Sequence, residues 1–368
     1  MSTTPDPAQL TALDSILWGR AEQGNVSPLR SLITIANRTG QAHLTAETVI
    51  VDEDRSLIDL VPTELRPEIQ RFGVGELGLI NDEQGRFVIG MYPTAYDGVF
   101  HLAGSIPTTD PRWQKVERWI GRGAPRFAAC FLNHADFAEI GIALSSLGDV
   151  EVSRLTARRH SDLSSLTRGW QERDSALRPS PIEAINSTER EGASVRSLTI
   201  KVKNGMSIHL RRLAGATYYS GDFRHFDEIV LSRLAKFAAA RRELLRNRQR
   251  RINEPPRQPI VVRLQTAAFK DAEATGSVLS TLQDQRETAI AVLHRNPYLH
   301  VVVTDYLDGS NFDVFVTSAD EIRIFPGFRS SIGALARLTQ QLGDHFAAKE
   351  IVEANVAPKP TLAELCAE

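Results

Sequence analysis

The chain has 368 residues, 42% of them apolar and 24% charged, an ordinary globular composition that excludes a disordered chain and exceeds the ~250 to 300 residues at which one core stops growing. Two cysteines, Cys130 and Cys366, exclude a disulfide framework, and 43 basic against 45 acidic residues, a net charge of −2, exclude a polycation read as a whole. The first residues lack the basic start and apolar run of a signal peptide, and no stretch approaches the ~18 apolar residues of a membrane helix, so the expectation is a soluble cytoplasmic protein with no membrane partner.

In chain order, residues 8–23 read as a helix with Leu10, Leu13, Ile16 and Leu17 on one face. A strand follows at Thr48 to Val51, then a helix near Pro67 to Arg71. A hairpin comes next, in which Leu77 to Ile80 and Arg86 to Tyr92 flank a turn ending in Gly85. A strand at Val99 to Ala103 leads to an amphipathic helix from Asp110, with Trp113, Val116 and Ile120 in register. Residues 126–158 read as strand or buried turn, helix and strand, a βαβ-like unit. The polar, proline-containing stretch 172–195 reads as a linker.

Beyond it, Asn204-Gly205 joins two alternating strands, the strongest short hairpin signal because both turn positions need positive φ. A long helix spans 223–251, stopped by Pro255, Pro256 and Pro259. A strand at Pro259 to Leu264 precedes a helix from Ala272 to Leu293, three strands (Leu299 to Tyr306, Phe312 to Ser318, Glu321 to Phe325) and a last helix from Ser331 to Val352. No internal repeat is visible. The expected fold class is α+β with two mixed domains. The first, 1–171, is a β-meander and βαβ-like unit with helices. The second, 196–352, is a hairpin plus long basic helix followed by an α-β-β-β-α unit, and 353–368 is a flexible tail.

Most motifs exclude rather than assign. Gly73, Gly75 and Gly78 match GxGxxG, but a helix precedes them and a strand follows, the reverse of the order a dinucleotide site needs. There is no Gly-Lys dipeptide for a phosphate loop, no HExxH, no paired CxxC and no histidine with lysine two positions on. No cofactor is expected. Asp149 and Glu151 alternate along a strand and are the one weak alternative for a metal such as Mg²⁺. Cys130, His134 and Asp136 hold the inventory of a thiol nucleophile and its base, in an apolar run where cysteine packs as a small hydrophobe. His294, His300, Asp305, Asp308, Asn311 and Asp313 crowd two strands and a turn, but alternation separates His300 from Asp305. Arg329, Ser330 and Ser331 enter a helix and would favour an anion there. Catalytic residues stay unassigned.

The charge is uneven along the chain. Residues 196–259 carry 15 basic and 5 acidic residues, while 1–171 carry 16 and 21. Arg241, Arg242, Arg246, Arg248, Arg250 and Arg251 crowd the end of the basic helix, and Arg211 and Arg212 extend the patch from the hairpin. Either this segment docks on acidic parts of the same molecule or it meets phosphates. Tyr218 and Tyr219 are the nearest stacking aromatics, so nucleic-acid contact would be mainly to phosphate and weakly sequence-specific. The leading expectation is a nucleic-acid-binding subunit or accessory protein of a larger assembly. Its alternatives are an interaction or scaffolding module, with a protein partner or homo-oligomer on the basic helix, and a metal-dependent enzyme acting on a phosphorylated or otherwise anionic substrate.

Overall fold

The structure is a computed structural model. It describes residues 14, 18, 19, 29 and 43–354, the last span without 53–54, 66, 73–74, 124, 160–163, 171–177, 204, 214, 254–257, 265–266, 270, 284–286, 296–297 and 347. The helix expected over 8–23 lies mostly outside the described residues, as does the tail from 355 onward. The fold is α+β, in two compact units: residues 1–246 with 332–340, and residues 247–331 with 341–368. No helix among the described residues is long and apolar enough to cross a membrane.

The first unit is built on an eleven-stranded sheet. Its elements run β1 Leu44–Val51, α1 Leu57–Leu60, β2 Glu68–Phe72, β3 Gly75–Asp82, β4 Gly85–Pro93, β5 Val99–Gly104, α2 Pro111–Arg122, β6 Phe127–Ala129, α3 His134–Ser145, β7 Val150–Arg159, β8 Ser165–Gly169, α4 Pro181–Arg190, β9 Ala193–Val202, β10 Ser207–Arg211 and β11 Gly215–Ser220. A helical run closes it: one turn at Phe223–His225, a π-helical segment Phe226–Leu231 and α5 Ser232–Leu245. The strand order is β2-β3-β4-β5-β1-β11-β10-β9-β7-β8, with β6 also beside β1. Helix α2 starts where Asp110 accepts the Arg112 N–H at 2.8 Å and Pro111 takes the first position. Its stripe of Trp113, Val116 and Ile120 then packs into a core with Val49, Val51, Leu102 and Phe127.

The second unit carries β12 Ile260–Leu264, α6 Ala272–Gln283, β13 Thr288–His294, β14 Leu299–Asp305, β15 Asn311–Val316, β16 Glu321–Pro326 and β17 Ala348–Glu353. Helix α7 Ile332–His345 is divided between the units after Gln340. Alternation sets the core: Leu299, Val301, Val303, Phe312, Val314, Val316, Ile322 and Ile324 are buried, and the residues between them are half-buried or exposed.

Two parts of the chain share one topology. Residues 44–129 form strand, helix, four-stranded meander, helix and strand, in the spatial order β2-β3-β4-β5-β1-β6; residues 260–353 repeat this as β13-β14-β15-β16-β12-β17. A repeat that preserves element and strand order without preserving residues leaves no trace in a search for sequence periodicity.

Several expectations give way to tertiary pairing. The helix expected at Pro67 to Arg71 is strand β2, bonded to β3 from Glu68 opposite Leu79 to Phe72 opposite Gly75. Of the GxGxxG match, Gly75 and Gly78 therefore lie within strand β3, opposite Phe72 and Ile69 of β2, and Gly73 is outside the described residues. The βαβ-like unit does not form: β6 pairs with β1, β7 pairs with β8 and β9, and all of these pairs are antiparallel. Residues 181–190 within the expected linker fold as α4, started by a Ser180 and Glu183 capping box, and β9 begins at Ala193. The helix expected to reach Leu293 ends at Gln283, because Thr288, Ile290 and Val292 pair with β14. The last helix ends at His345, since Ala348–Glu353 closes the edge of β12. The basic helix stops at Leu245, where Asn247 takes a left-handed conformation (φ 54°) ahead of the prolines.

Candidate functional site

The basic residues singled out in the sequence divide by burial. Arg241 bonds Asp136 on α3 at 2.5 Å, both side chains being about nine-tenths buried, and its guanidinium lies over the Phe131 ring. Arg242 is buried and donates its Nε to the Val51 carbonyl at 2.7 Å. Arg211 binds Glu117 of α2, and Arg212 is buried at 5% exposure. In the second unit Arg248, only 4% exposed, bonds Glu353 at 2.8 Å and the Gln258 carbonyl at 3.2 Å. Arg246 pairs with Glu243 one turn back and stays partly exposed. Arg250 lies over the Phe328 ring, and both Arg250 and Arg251 are exposed. Much of the positive charge of 196–259 is thus spent on carboxylates and carbonyls of the same chain.

The other sequence-derived sets resolve in the same direction. Asp149 bonds Lys203 and Glu151 bonds Arg178, each at 2.8 Å, so both carboxylates already hold a cation. Among the described residues no three metal-ligating side chains come together. Cys130 is buried, and burial, tempered by Arg241, pushes its thiol up to about 12. His134 turns away from it: Nε2 accepts from the Val195 N–H at 2.9 Å, which leaves the proton on Nδ1 to meet Glu189 at 2.6 Å. His300 bonds Asp313 at 2.7 Å and stacks on Phe315. At the expected anion seat, the Ser331 N–H donates to Ser310 at 2.9 Å and the Ser331 hydroxyl meets Asp308, so the chain supplies its own carboxylate there.

A concave site lies in the first unit instead, a cavity of about 480 Å³ lined by Thr94, Tyr96, His101, Glu139, Asp227, Ser232, Arg233 and Lys236 among others. Five elements place these groups, with Ser232, Arg233 and Lys236 coming from α5. The β4–β5 turn is held by the Thr94 hydroxyl, which donates to the Val99 carbonyl at 3.0 Å and accepts the Tyr96 N–H at 3.1 Å. His101 projects from β5 and meets the Thr48 hydroxyl at 3.1 Å. Burial lowers its pKa to about 4, so the imidazole is neutral at physiological pH. Glu139 comes from α3, and Asp227 from the π-helical segment, whose five-residue bond runs from the Ser232 N–H to the Asp227 carbonyl.

The cations of the cleft differ in commitment. Lys236 bonds Glu139 at 2.9 Å, but both side chains are about half exposed and such a pair contributes little. Arg233 donates Nη1 to the Ile229 carbonyl at 3.1 Å, its Nε is buried with no partner, and it meets no carboxylate among the described residues. Sequence reasoning passed over Arg233 because it weighed the C-terminal half of the helix, where arginines cluster. The available signal was two cations three residues apart, one turn after the acidic Asp227-Glu228. No protein-family model and no curated protein matches the chain.

Proposed function

We propose that this is a binding protein whose first unit holds a small anionic solute, carboxylated or phosphorylated, in the cleft between the β4–β5 turn and α5. The observation that carries this reading is Arg233, a guanidinium in the cleft wall with an unsatisfied buried N–H and no carboxylate partner among the described residues. An anion there would gain a charge-assisted hydrogen bond, and Lys236 is free to turn to it from an exposed pair of small worth. Neutral His101 and the half-exposed Tyr96 offer orienting hydrogen bonds. Thermal shift with citrate, inorganic phosphate and L-glutamate tests it: at least one should stabilise the chain, and Arg233→Gln should abolish that stabilisation. No stabilisation by any probe, or an unchanged response in the variant, removes the reading.

A second reading keeps the polyanion expectation, favoured by Arg250 and Arg251, which stay at the surface, and by partly exposed Arg246. It rests on three arginines rather than eight. Phosphate contacts by these residues would bind DNA or RNA weakly and with steep salt dependence.

A further inference from the structure

Charged groups that the cleft does not use collect on the opposite face of the same sheet. His101 faces the cleft and pairs with Thr48 of β1 on that side of the sheet, and Glu47, one residue from Thr48, projects to the other side. There Glu47 stands opposite Gly215 of β11, and Arg211 of β10 stands opposite Gly215 from the far side. Because Gly215 has no side chain, the guanidinium lies across it: a Cβ at this position would sit 2.7 Å from Arg211 Nε. Nη1 binds Glu117 of α2, whose same oxygen accepts the Trp113 indole N–H at 3.1 Å. Thr217 follows two residues along β11 on the same face.

These groups do not finish their hydrogen bonds on one another. Arg211 Nε and Nη2, Glu47 Oε2 and the Thr217 hydroxyl are all buried with no partner among the described residues, and Glu47 and Thr217 are 2% and 1% exposed. A carboxyl and a guanidinium at this depth, side by side yet not bonded, leave four polar atoms desolvated without return, which native structures avoid unless something bridges them. The open edge of Arg211, Nε with Nη2, is the bidentate edge that matches two oxygens of one planar anion.

We propose that Glu47, Arg211 and Thr217 enclose a seat for one small planar oxyanion of the size of formate or bicarbonate, taken bidentate by Arg211 with the Thr217 hydroxyl and a protonated Glu47 carboxyl as further donors. Burial, opposed by Arg211 and reinforced by Glu117, raises Glu47 to about 7, so its proton is available near neutrality. On this face Tyr219, raised by burial against the opposing charges of Arg211 and Arg154, stays neutral near pH 7, and two histidines stand beside it, His209 and His43. Both histidines are lowered to about 4, His209 by burial with Arg211 and Arg154 and His43 by burial, and neither changes charge between pH 6 and 8.

Titration calorimetry of the full chain with sodium formate, at pH 6 and at pH 8 in a chloride-free buffer, tests the seat. With the cleft's own carboxylate site removed by Arg233→Gln, one saturable site is expected, weaker at pH 8 by up to about tenfold because the carboxyl must regain a proton to donate. Glu47→Gln keeps a donor and should bind equally at both pH values. Thr217→Val, nearly isosteric, should bind more weakly with unchanged circular dichroism. Absence of a saturable site at either pH, equal binding at both with Glu47 intact, or undiminished binding by Thr217→Val overturns the proposal.

Discussion

Gly98 and Arg242 occupy one another's space: a Cβ on Gly98 would overlap the guanidinium of Arg242, which reaches past it to the Val51 carbonyl. Val51 in turn donates its N–H to the Gly98 carbonyl at 2.9 Å, so the three residues lock α5 to β1 and the β4–β5 turn. Gly98 also has a φ of +67°, which a side chain rarely adopts. Gly98→Ala should therefore cost at least about 2 kcal/mol through strain and displacement of Arg242. Urea unfolding monitored by circular dichroism checks this; a change below about 0.5 kcal/mol would mean the guanidinium has another resting place.

Arg241 and Asp136 make the deepest ion pair of the arginine cluster. Removing one partner leaves the other charge buried, so Arg241→Met alone should destabilise by about 3 to 5 kcal/mol. Arg241→Met with Asp136→Asn should recover a substantial part of that loss. A double-mutant cycle by chemical denaturation measures the coupling, and strict additivity of the two changes would show that the pair is not formed.

The surface arginines separate from the buried ones in a binding assay. Arg246, Arg250 and Arg251 changed together to Ala should leave unfolding unaffected, whereas adding Arg248→Ala should lower stability, because Arg248 satisfies the Gln258 carbonyl and Glu353. Fluorescence anisotropy with labelled DNA and RNA at about 50 and 200 mM salt decides the polyanion reading. If the wild type binds and loses orders of magnitude with salt, the triple variant should bind more weakly and with a flatter dependence. No binding at the lower salt retires that reading.

Glu47 links stability to pH with a definite sign. Its pKa is raised in the folded chain from 4.5 to about 7, so the protonated form favours folding. Its contribution is complete below pH 4.5 and is lost as pH rises to about 7, the gap corresponding to about 3 kcal/mol. His101 has the opposite sense: its pKa falls from 6.5 to about 4, so its contribution is present above pH 6.5 and lost as pH falls through 4. Subtracting the stability of Glu47→Gln from that of the wild type isolates the first effect. The difference should shrink between pH 5 and pH 8; a constant difference would place Glu47 in contact with water.

The sequence by itself determined those features that short-range chemistry specifies. Asp110-Pro111 starts a helix whose Trp113, Val116 and Ile120 must find a core, and Leu299, Val301 and Val303 alternate as only a half-buried strand does. The α+β class, the hairpins and the sparse inventory of catalytic motifs follow from such local rules. Tertiary structure alone decided which strands meet. Glu68–Phe72 and Thr288–His294 are strands because β3 and β14 offer them bonds, and the shared strand order of 44–129 and 260–353 lies in pairing, which residue identity does not record.

The arginines show the same division at the level of function. Their abundance between 196 and 259 was plain from composition, but whether a guanidinium meets solvent, a carboxylate or a carbonyl depends on partners as distant in sequence as Asp136 for Arg241 and Val51 for Arg242. The cleft group without a carboxylate, Arg233, and the buried group with an open edge, Arg211, looked in sequence like any other member of the cluster. Burial gave them different roles, because a charge is cheap in water and needs a specific partner once water is excluded.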